Sequence, residues 1–536
     1  MGEYQLFIQP GKFKMLKKLF MLFKIGRKLS TSGAISSIYE IYKPPIGIKI
    51  LFFIIGFNLN EKKNHNNLSS GEKLCNAMQD MGTTFIKLGQ FLATRPDIIG
   101  ENVAQELEKL QDKLPAFDSL SAKEILKEEL GNKNFEKINN ISDAVAAASI
   151  AQVHFANIKI SNENKDVAIK ILRPNIEKIF NEELDALMLL AYILQSLIKK
   201  TKRLKLVEVV QLLREITNVE MDLRFEAAAA NELYENTKND VGFKVPKIYW
   251  NYTSKKILCL EKVDGISIRE VQNLKSLNVD TKKLAKDIIQ HFLKHAVRDG
   301  FFHADMHQGN LFVTKEGNIV PVDFGIMGRL DKNNRRYLAE ILYGVVKRDY
   351  KKVAEIHFLA GLVSQKVSKD DFAQALRSIG EPIFGQSVKN ISGGKLLSQL
   401  FEITEKFNMQ TQIQLLLLQK TMVVVEGVAR KLDPDTNIWD VSKPILESWL
   451  SEIKDPINKA NEFVTETSEI LKRLPELPVI MDKANNVMTL MSEGKFNPDT
   501  LAYRSLREEE LKLELMRNKV IGGVLVLVIF ALLVFK

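Results

Sequence analysis

The sequence predicts an α+β fold in two lobes, a small β-rich lobe followed by a larger α-rich one. Three observations carry that expectation. Between about 138 and 263, short strand-like runs enclose one long helical segment. From about Lys275 onward, helical periodicity dominates. At 536 residues the chain exceeds one typical domain, which leaves room for a two-lobed unit with substantial additions. No repeat at solenoid periods interrupts this order.

Composition narrows the class. Hydrophobic residues make up 45% and charged residues 26%, an ordinary globular balance that speaks against long disordered spans. The two cysteines, Cys75 and Cys259, could form one bridge at most. Cys259 lies in the apolar run Ile257-Leu258-Cys259-Leu260, where a packed thiol in a reducing compartment is expected. No early apolar core with a cleavage site is present, so secretion is not indicated.

Taken in order, residues 1–60 are basic and apolar. Lys12, Lys14, Lys17, Lys18, Lys24, Arg27 and Lys28 alternate with Phe13, Leu16, Leu19, Phe20 and Phe23, in a chain of net charge +10. This pattern predicts an amphipathic helix on an anionic membrane surface, against a nucleic-acid patch or a plain solvated helix. Ile46 to Phe57 is apolar but too short to span a membrane, and Asn60 to Gly71 is a polar linker. A helical extension is expected over 72–137. It contains a helix running through Met81 to Leu92 and ending near Arg95-Pro96, because proline disfavours helix in the residue before it. The small lobe is placed at 138–265, the large lobe at 266–455 and a helical tail region at 456–518. Val520 to Phe535 is uncharged and bounded by Lys519 and Lys536. As a helix it would extend about 24 Å, somewhat short of the roughly 30 Å hydrocarbon core. Snorkelling lysines and local thinning can absorb the difference, so 519–536 is expected to be a transmembrane tail, with a buried core helix as the alternative.

The chemistry is carried by Phe302-His303-Ala304-Asp305-Met306-His307-Gln308-Gly309-Asn310, followed by Val322-Asp323-Phe324-Gly325. Phosphoryl transfer needs a carboxylate near the attacking oxygen, and an amide oxygen with a second carboxylate to hold Mg²⁺ against the phosphates. Asp305 fits the first role, as catalytic residue, and Asn310 and Asp323 the second, as metal ligands. Their spacing is that of the protein-kinase catalytic loop and D-F-G element, with Ala304 in place of the arginine. Two other readings stay open here. His303, Asp305 and His307 also form an H-x-D-x-H pattern suited to Zn²⁺, and the segment could be a turn with a buried histidine.

Upstream, Val167-Ala168-Ile169-Lys170 is a strand-like run ending in the lysine expected to hold the α and β phosphates. The run Val145, Ala146, Ala147, Ala148, Ser149, Ile150, Ala151, Gln152 and Val153 lies where a kinase places G-x-G-x-x-G-x-V, with alanine for each glycine. Alanine narrows backbone freedom, so a stiffer ATP-binding loop is predicted. Alone such a run would favour helix, but the flanking strands and Lys170 reverse that reading. Val219 to Ala230 reads as one helix. On it Glu226 is the candidate partner of Lys170, while Glu220, six residues earlier, should have a separate task. A solvated acidic face is the plain alternative. Leu258 to Gly265, including Glu261, resembles the connection between lobes whose backbone would meet adenine. The parts together predict a two-lobed protein-kinase-like fold.

So assembled, the chain resembles the UbiB family of atypical kinase-like proteins associated with ubiquinone (coenzyme Q) biosynthesis. The resemblance covers about residues 72–345. Lys87-Leu88-Gly89-Gln90 fits its K-x-G-Q signature, Ala146-Ala147-Ala148-Ser149 its alanine-rich loop, Glu220-Met221-Asp222 its E-x-D element, and His303 to Asn310 its catalytic loop. Met306 and Gln308 depart from it, standing where proline is common. The resemblance implies that the K-x-G-Q helix folds over the active site. Lys87 would then be an active-site residue, with Gln90, Glu220 and Asp222 nearby, blocking the seat of a peptide. In agreement, a helical pattern begins near Asn333 and no A-P-E element follows the D-F-G.

The implied cofactors are ATP and Mg²⁺. The implied partners are membrane lipids, polyprenyl quinone intermediates, enzymes of ubiquinone biosynthesis and a second copy of the chain, with no nucleic acid. The expected location is a bacterial inner membrane with a cytoplasmic catalytic domain, since no Arg-rich, acid-poor presequence is evident. The expected function is an ATPase or atypical kinase supporting ubiquinone biosynthesis at its hydroxylation steps. A conventional protein or small-molecule kinase, or a non-catalytic nucleotide- and lipid-binding scaffold, is the alternative. The family's hydroxylase label finds no flavin, haem or iron fingerprint in the sequence.

Overall fold

The structure is a computed structural model that describes residues 12–34, 68–93, 99–110, 114–161, 163–197, 205–276, 279–385, 403, 406, 407, 409 and 413–454. The expected tail at 519–536, the region 456–518 and the apolar run Ile46 to Phe57 lie outside the described residues. Among the described residues, no helix is long and apolar enough to cross a membrane.

Helix α1 (Lys12–Thr31) packs on the protein with a face other than the one bearing Phe20 and Phe23. Leu22, Ile25 and Leu29 are buried against the protein, and Lys17 and Lys18 pair with Glu182 and Asp185 at 2.6 and 3.0 Å. Phe20 and Phe23 do face out, at 70% and 40% exposure. The extension then comprises α2 (Ser70–Met81), α3 (Thr83–Ala93), α4 (Glu101–Leu107) and α5 (Ser119–Phe135). The single helix expected through Met81 is broken at Gly82, which takes φ +100° and starts a new helix in a new direction. A capping box between Ser69 and Glu72 starts α2, and Asp118 caps α5 through the Ser121 amide.

The small lobe is an antiparallel sheet of β1 (Ile138–Asn139), β2 (Ala144–Ala147), β3 (Ala151–Ile160), β4 (Glu163–Leu172) and β5 (Ile257–Glu261), in the order β1-β3-β4-β5 with β2 also on β3. Period-two alternation sorts its faces. Val167, Ile169 and Ile171 of β4 pack with Cys259 beneath Ala122 and Leu126 of α5. Ala168, Lys170 and Leu172 therefore point the other way, towards the cleft side. Cys259 is a buried free thiol whose pKa burial raises.

Where one long helical segment was expected between β4 and β5, the chain forms α6 (Ile176–Leu197), α7 (Leu206–Glu220) and α8 (Leu223–Thr237). The Val219–Ala230 run is thus two helices. Asp222 leaves helical geometry (φ −121°, ψ 93°) and accepts the Arg224 amide, capping α8. A cap of this kind stabilises a helix start by about 1 kcal/mol, enough to override the helix propensity of the run.

The large lobe opens with β6 (Ile266–Ser267), α9 (Val271–Ser276) and α10 (Thr281–Lys294), which continues into a π-helical turn at His295–Asp299. Two small antiparallel sheets follow. One joins β7 (Phe301–His303) to β10 (Met327–Arg329), and the other orders β6, β8 (Leu311–Val313) and β9 (Ile319–Pro321). Helices α11 (Lys332–Val346), α12 (Tyr350–Leu359), α13 (Lys369–Gly385), α14 (Ile413–Leu432) and α15 (Ile438–Lys454) complete the lobe. Because α11 starts just after β10, no long segment separates the D-F-G element from it.

Candidate active site

The inward face of β4 delivers Lys170, whose Nζ donates to both carboxylate oxygens of Glu226 at 2.8 and 2.9 Å and lies 3.5 Å from Asp323 Oδ1. Glu226 occupies the first turn of α8, while Leu223, Ala227 and Ala230 bury that helix in the core. The three charged groups settle their protonation together. Burial would strip the Lys170 proton, but Asp323 and Glu226 outweigh it and hold that pKa above the ordinary lysine range. Burial would also raise the Asp323 carboxyl. Lys170, the Gly325 N–H and Lys87 together hold it well below the usual carboxylate range. Asp323 is therefore an anion, and 46% of its side-chain surface remains open.

The catalytic loop is latched to the D-F-G segment by a histidine. The Asp305 amide donates to His303 Nδ1 at 3.1 Å, so Nε2 carries the hydrogen and donates to the Asp323 carbonyl. Burial keeps His303 neutral by lowering its pKa. With both ring nitrogens used, His303 cannot be a Zn²⁺ ligand, which removes the H-x-D-x-H metal reading. Asn310 Nδ2 donates to the Asp305 carbonyl and to Asp305 Oδ2, at 3.2 and 3.1 Å. No hydrogen bond among the described residues ends on Asn310 Oδ1. The Val322 amide, next to Asp323 in the chain, donates to the Asn310 backbone carbonyl at 3.0 Å, and a free amide oxygen together with the Asp323 carboxylate is the hard-oxygen chemistry that suits Mg²⁺.

The alanine-rich run forms a tight turn between β2 and β3. Its carbonyls are all taken: Ala148 O accepts from the Arg173 guanidinium, Ser149 O from Thr83 Oγ1 at 2.9 Å, and Ile150 O from the Arg173 amide at 2.9 Å. Among the described residues the Ser149 and Ile150 amides donate to no acceptor. Ser149 Oγ is buried without a partner. Adjacent unclaimed donors are the chemistry that a phosphate oxygen needs.

The extension reaches this site through α3. Thr83 at its start holds the turn, and Lys87, one helical turn later, lies 3.2 Å from Glu220 Oε2 at the end of α7. The Lys87 charge also acts on Asp323. Gln90 is half-buried on the next turn of α3. Gly89 permits close packing, since a Cβ there would come within 2.2 Å of Leu110 and 2.7 Å of Met78. Asp222 instead turns to Arg224, accepting from its Nε and Nη2 at 2.9 and 2.6 Å.

Two expected ATP contacts are displaced. The Gln152 side chain is fully buried behind the turn, exchanging hydrogen bonds with both backbone groups of Phe117 and meeting His154 at 2.9 Å. Alternation along β3 sends it to the α5 side, so it positions the strand and does not face phosphate. The Glu261 carboxylate is held by Lys244 at 2.7 Å and the Lys247 amide at 3.2 Å. Only its backbone could serve the lobe connection. Val145 is largely exposed on β2, Ala146 and Ala147 pair with Val153 and Gln152, and Ala151 pairs with Leu172.

Comparison with known proteins follows the same division. Residues 109–357 match the ABC1 atypical kinase-like domain, and residues 376–437 match the UbiB helical domain. The probable protein kinase UbiB of Marinobacter nauticus is 36% identical over 87% of this chain and 85% of its own length. This chain belongs to the UbiB family. The probable protein kinase UbiB of Histophilus somni is 39% identical over 75% of this chain and 74% of its own. Among solved structures, the Rv3197–erythromycin complex from Mycobacterium tuberculosis is similar at 23% identity and a TM-score of 0.43, covering 67% of this chain and 90% of that one.

Two features of this UbiB chain arise from packing outside its motifs. Helix α14, within the UbiB helical domain, touches the catalytic loop: Thr421 Oγ1 lies 3.0 Å from the Ala304 carbonyl, and Lys431 donates to Gln308 Oε1 at 2.7 Å. Nothing in an apolar helical run marks Thr421 as special. The second is a buried cluster of Asp240, His291 and His295, whose ligand-type atoms lie within 4.8 Å of one another. The spacing of the two histidines, four apart on α10, was a visible signal. Asp240 already accepts from Lys294 at 2.6 Å, Arg298 at 2.8 and 3.1 Å, and His295 at 3.2 Å. Its lone pairs are committed to two cations, so the cluster joins the loop after α8 to α10 and is a poor metal seat.

Proposed function

We propose that the protein is an Mg-ATP-using atypical kinase or ATPase that supports ubiquinone biosynthesis at its hydroxylation steps. It works at a bacterial inner membrane, with the catalytic unit in the cytoplasm. The single observation that carries the reading is Lys170 shared between Glu226 and Asp323, with Asn310 beside Asp305.

In this account Lys170 and the amides of the alanine-rich turn hold the phosphates, and Glu226 orients Lys170. Asn310 Oδ1 and the Asp323 carboxylate would hold the metal. When bound, Mg²⁺ neutralises charge on the phosphates as transfer proceeds. Asp305, fixed through His303 and Asn310, orients the attacking oxygen and accepts its proton. Lys87 stands over the cleft from outside the kinase core, where it restricts a peptide acceptor. That favours water or a small lipid as acceptor, and with it contact to polyprenyl intermediates and membrane lipids. The uncharged run Val520 to Phe535, within 519–536, remains the proposed anchor.

Cells depleted of the protein and complemented with wild type or Asp305→Asn test the reading through their quinone-intermediate profile. Restoration by wild type alone is expected. Equal restoration by Asp305→Asn would refute a catalytic role.

A further inference from the structure

Ala304 occupies the position before Asp305, where a protein kinase has arginine. Both of its backbone polar groups are held from outside the loop. Its amide donates to the Ile326 carbonyl at 3.0 Å, just after the D-F-G element, and its carbonyl lies 3.0 Å from Thr421 Oγ1 on α14. Thr421 is 0% exposed and Ala304 6%, so no water can replace that hydroxyl. Lys431, ten residues along the same helix, holds Gln308 at the far side of the loop. The loop that presents Asp305 is thus gripped at two points by one helix.

We propose that Thr421 is a positioning residue for Asp305: by holding the Ala304 carbonyl, it fixes the peptide plane from which the Asp305 side chain projects. The proposal rests on the reading of Asp305 given above. The competing view is that Thr421 only satisfies its own helix, since the Leu417 carbonyl is also within reach at 2.7 Å. The two views differ on valine, which keeps the shape and removes the donor. If the hydroxyl serves only Leu417, valine leaves Asp305 undisturbed. If it serves Ala304, valine strands a buried carbonyl next to the catalytic carboxylate.

The test uses the full chain in detergent, as wild type, Thr421→Val and Thr421→Ser, with three measurements. These are Mg-dependent ATP turnover across ATP concentrations, hydrogen–deuterium exchange of the peptide spanning Ala304 and Asp305, and thermal unfolding. Thr421→Val is expected to lower kcat ~10-fold with KM changed less than ~2-fold, a loss typical of one misplaced group. Exchange at Ala304–Asp305 should rise, and Thr421→Ser should restore both. Unchanged kcat in Thr421→Val, a loss confined to KM, or a serine variant as impaired as valine would each overturn the proposal. Should the valine variant fail to fold, Thr421→Ala decides by the same criteria, because alanine also removes the donor. If wild type shows no Mg-dependent turnover, the proposed function fails. Exchange then decides the positioning claim alone: faster exchange in valine but not serine supports it, and equal exchange overturns it.

Discussion

Lys170 Nζ bonds both carboxylate oxygens of Glu226, and this pair ties strand β4 to helix α8 across the back of the cleft. Glu226 also accepts the Phe324 amide at 3.4 Å, so one carboxylate links the small lobe to the D-F-G element of the large lobe.

Glu226→Gln should therefore free Lys170 to move fully onto Asp323. The expected result is an ATP affinity lowered ~10-fold in calorimetric titration, because removing one partner of a buried pair disturbs the other. Undiminished affinity would mean that Lys170 is placed by something other than Glu226.

Lys87 contributes to keeping Asp323 ionised, and in the proposed function it would compete with a metal for that carboxylate. Lys87→Met should lower the Mg²⁺ concentration needed for half-maximal nucleotide binding, by roughly threefold at low salt and less at high salt. A higher Mg²⁺ requirement would show that Lys87 assists the metal.

Gly328 faces Phe302 across the β7–β10 pair, and a Cβ there would sit 2.1 Å from the rigid, fully buried ring. Gly328→Ala is expected to cost about 2 kcal/mol in urea unfolding. A neutral substitution would indicate that β10 can separate from β7 without loss.

The buried cluster on α10 gives a pH dependence. Burial lowers His291 to about 4, so the unfolded chain, titrating near 6.5, binds a proton that the native chain refuses. Stability is full above pH 6.5 and falls as pH drops towards 4. Roughly 2 kcal/mol should be lost between pH 7 and pH 5 from this residue, and His291→Leu should flatten that slope in denaturant titrations. An unchanged slope would place the acid sensitivity elsewhere.

Much of this molecule could be read from the chain because its signals are local. The alternation of Val167 to Ile171 fixes which face of β4 carries Lys170, and the spacing from His303 to Asn310 and on to Asp323 selects the loop. What could not be read depends on geometry that local pattern leaves open. The break at Met221-Asp222 lies inside a run of good helix formers and is decided by a cap. Gln152 sits within a recognisable motif, yet strand parity turns it behind the sheet towards Phe117. Thr421 meets Ala304 across 117 residues, a contact that only packing of the helical domain creates.

In the proposed function Asp323 and Asn310 would hold a metal ion against nucleotide on Lys170. Calorimetric titration of the full chain in detergent with ATP, with and without Mg²⁺, for wild type and Asp323→Asn, tests it most directly. Mg-dependent binding is expected in wild type and at least a tenfold loss in Asp323→Asn, with unfolding little changed. Equal Mg-dependent binding by the two proteins would contradict it.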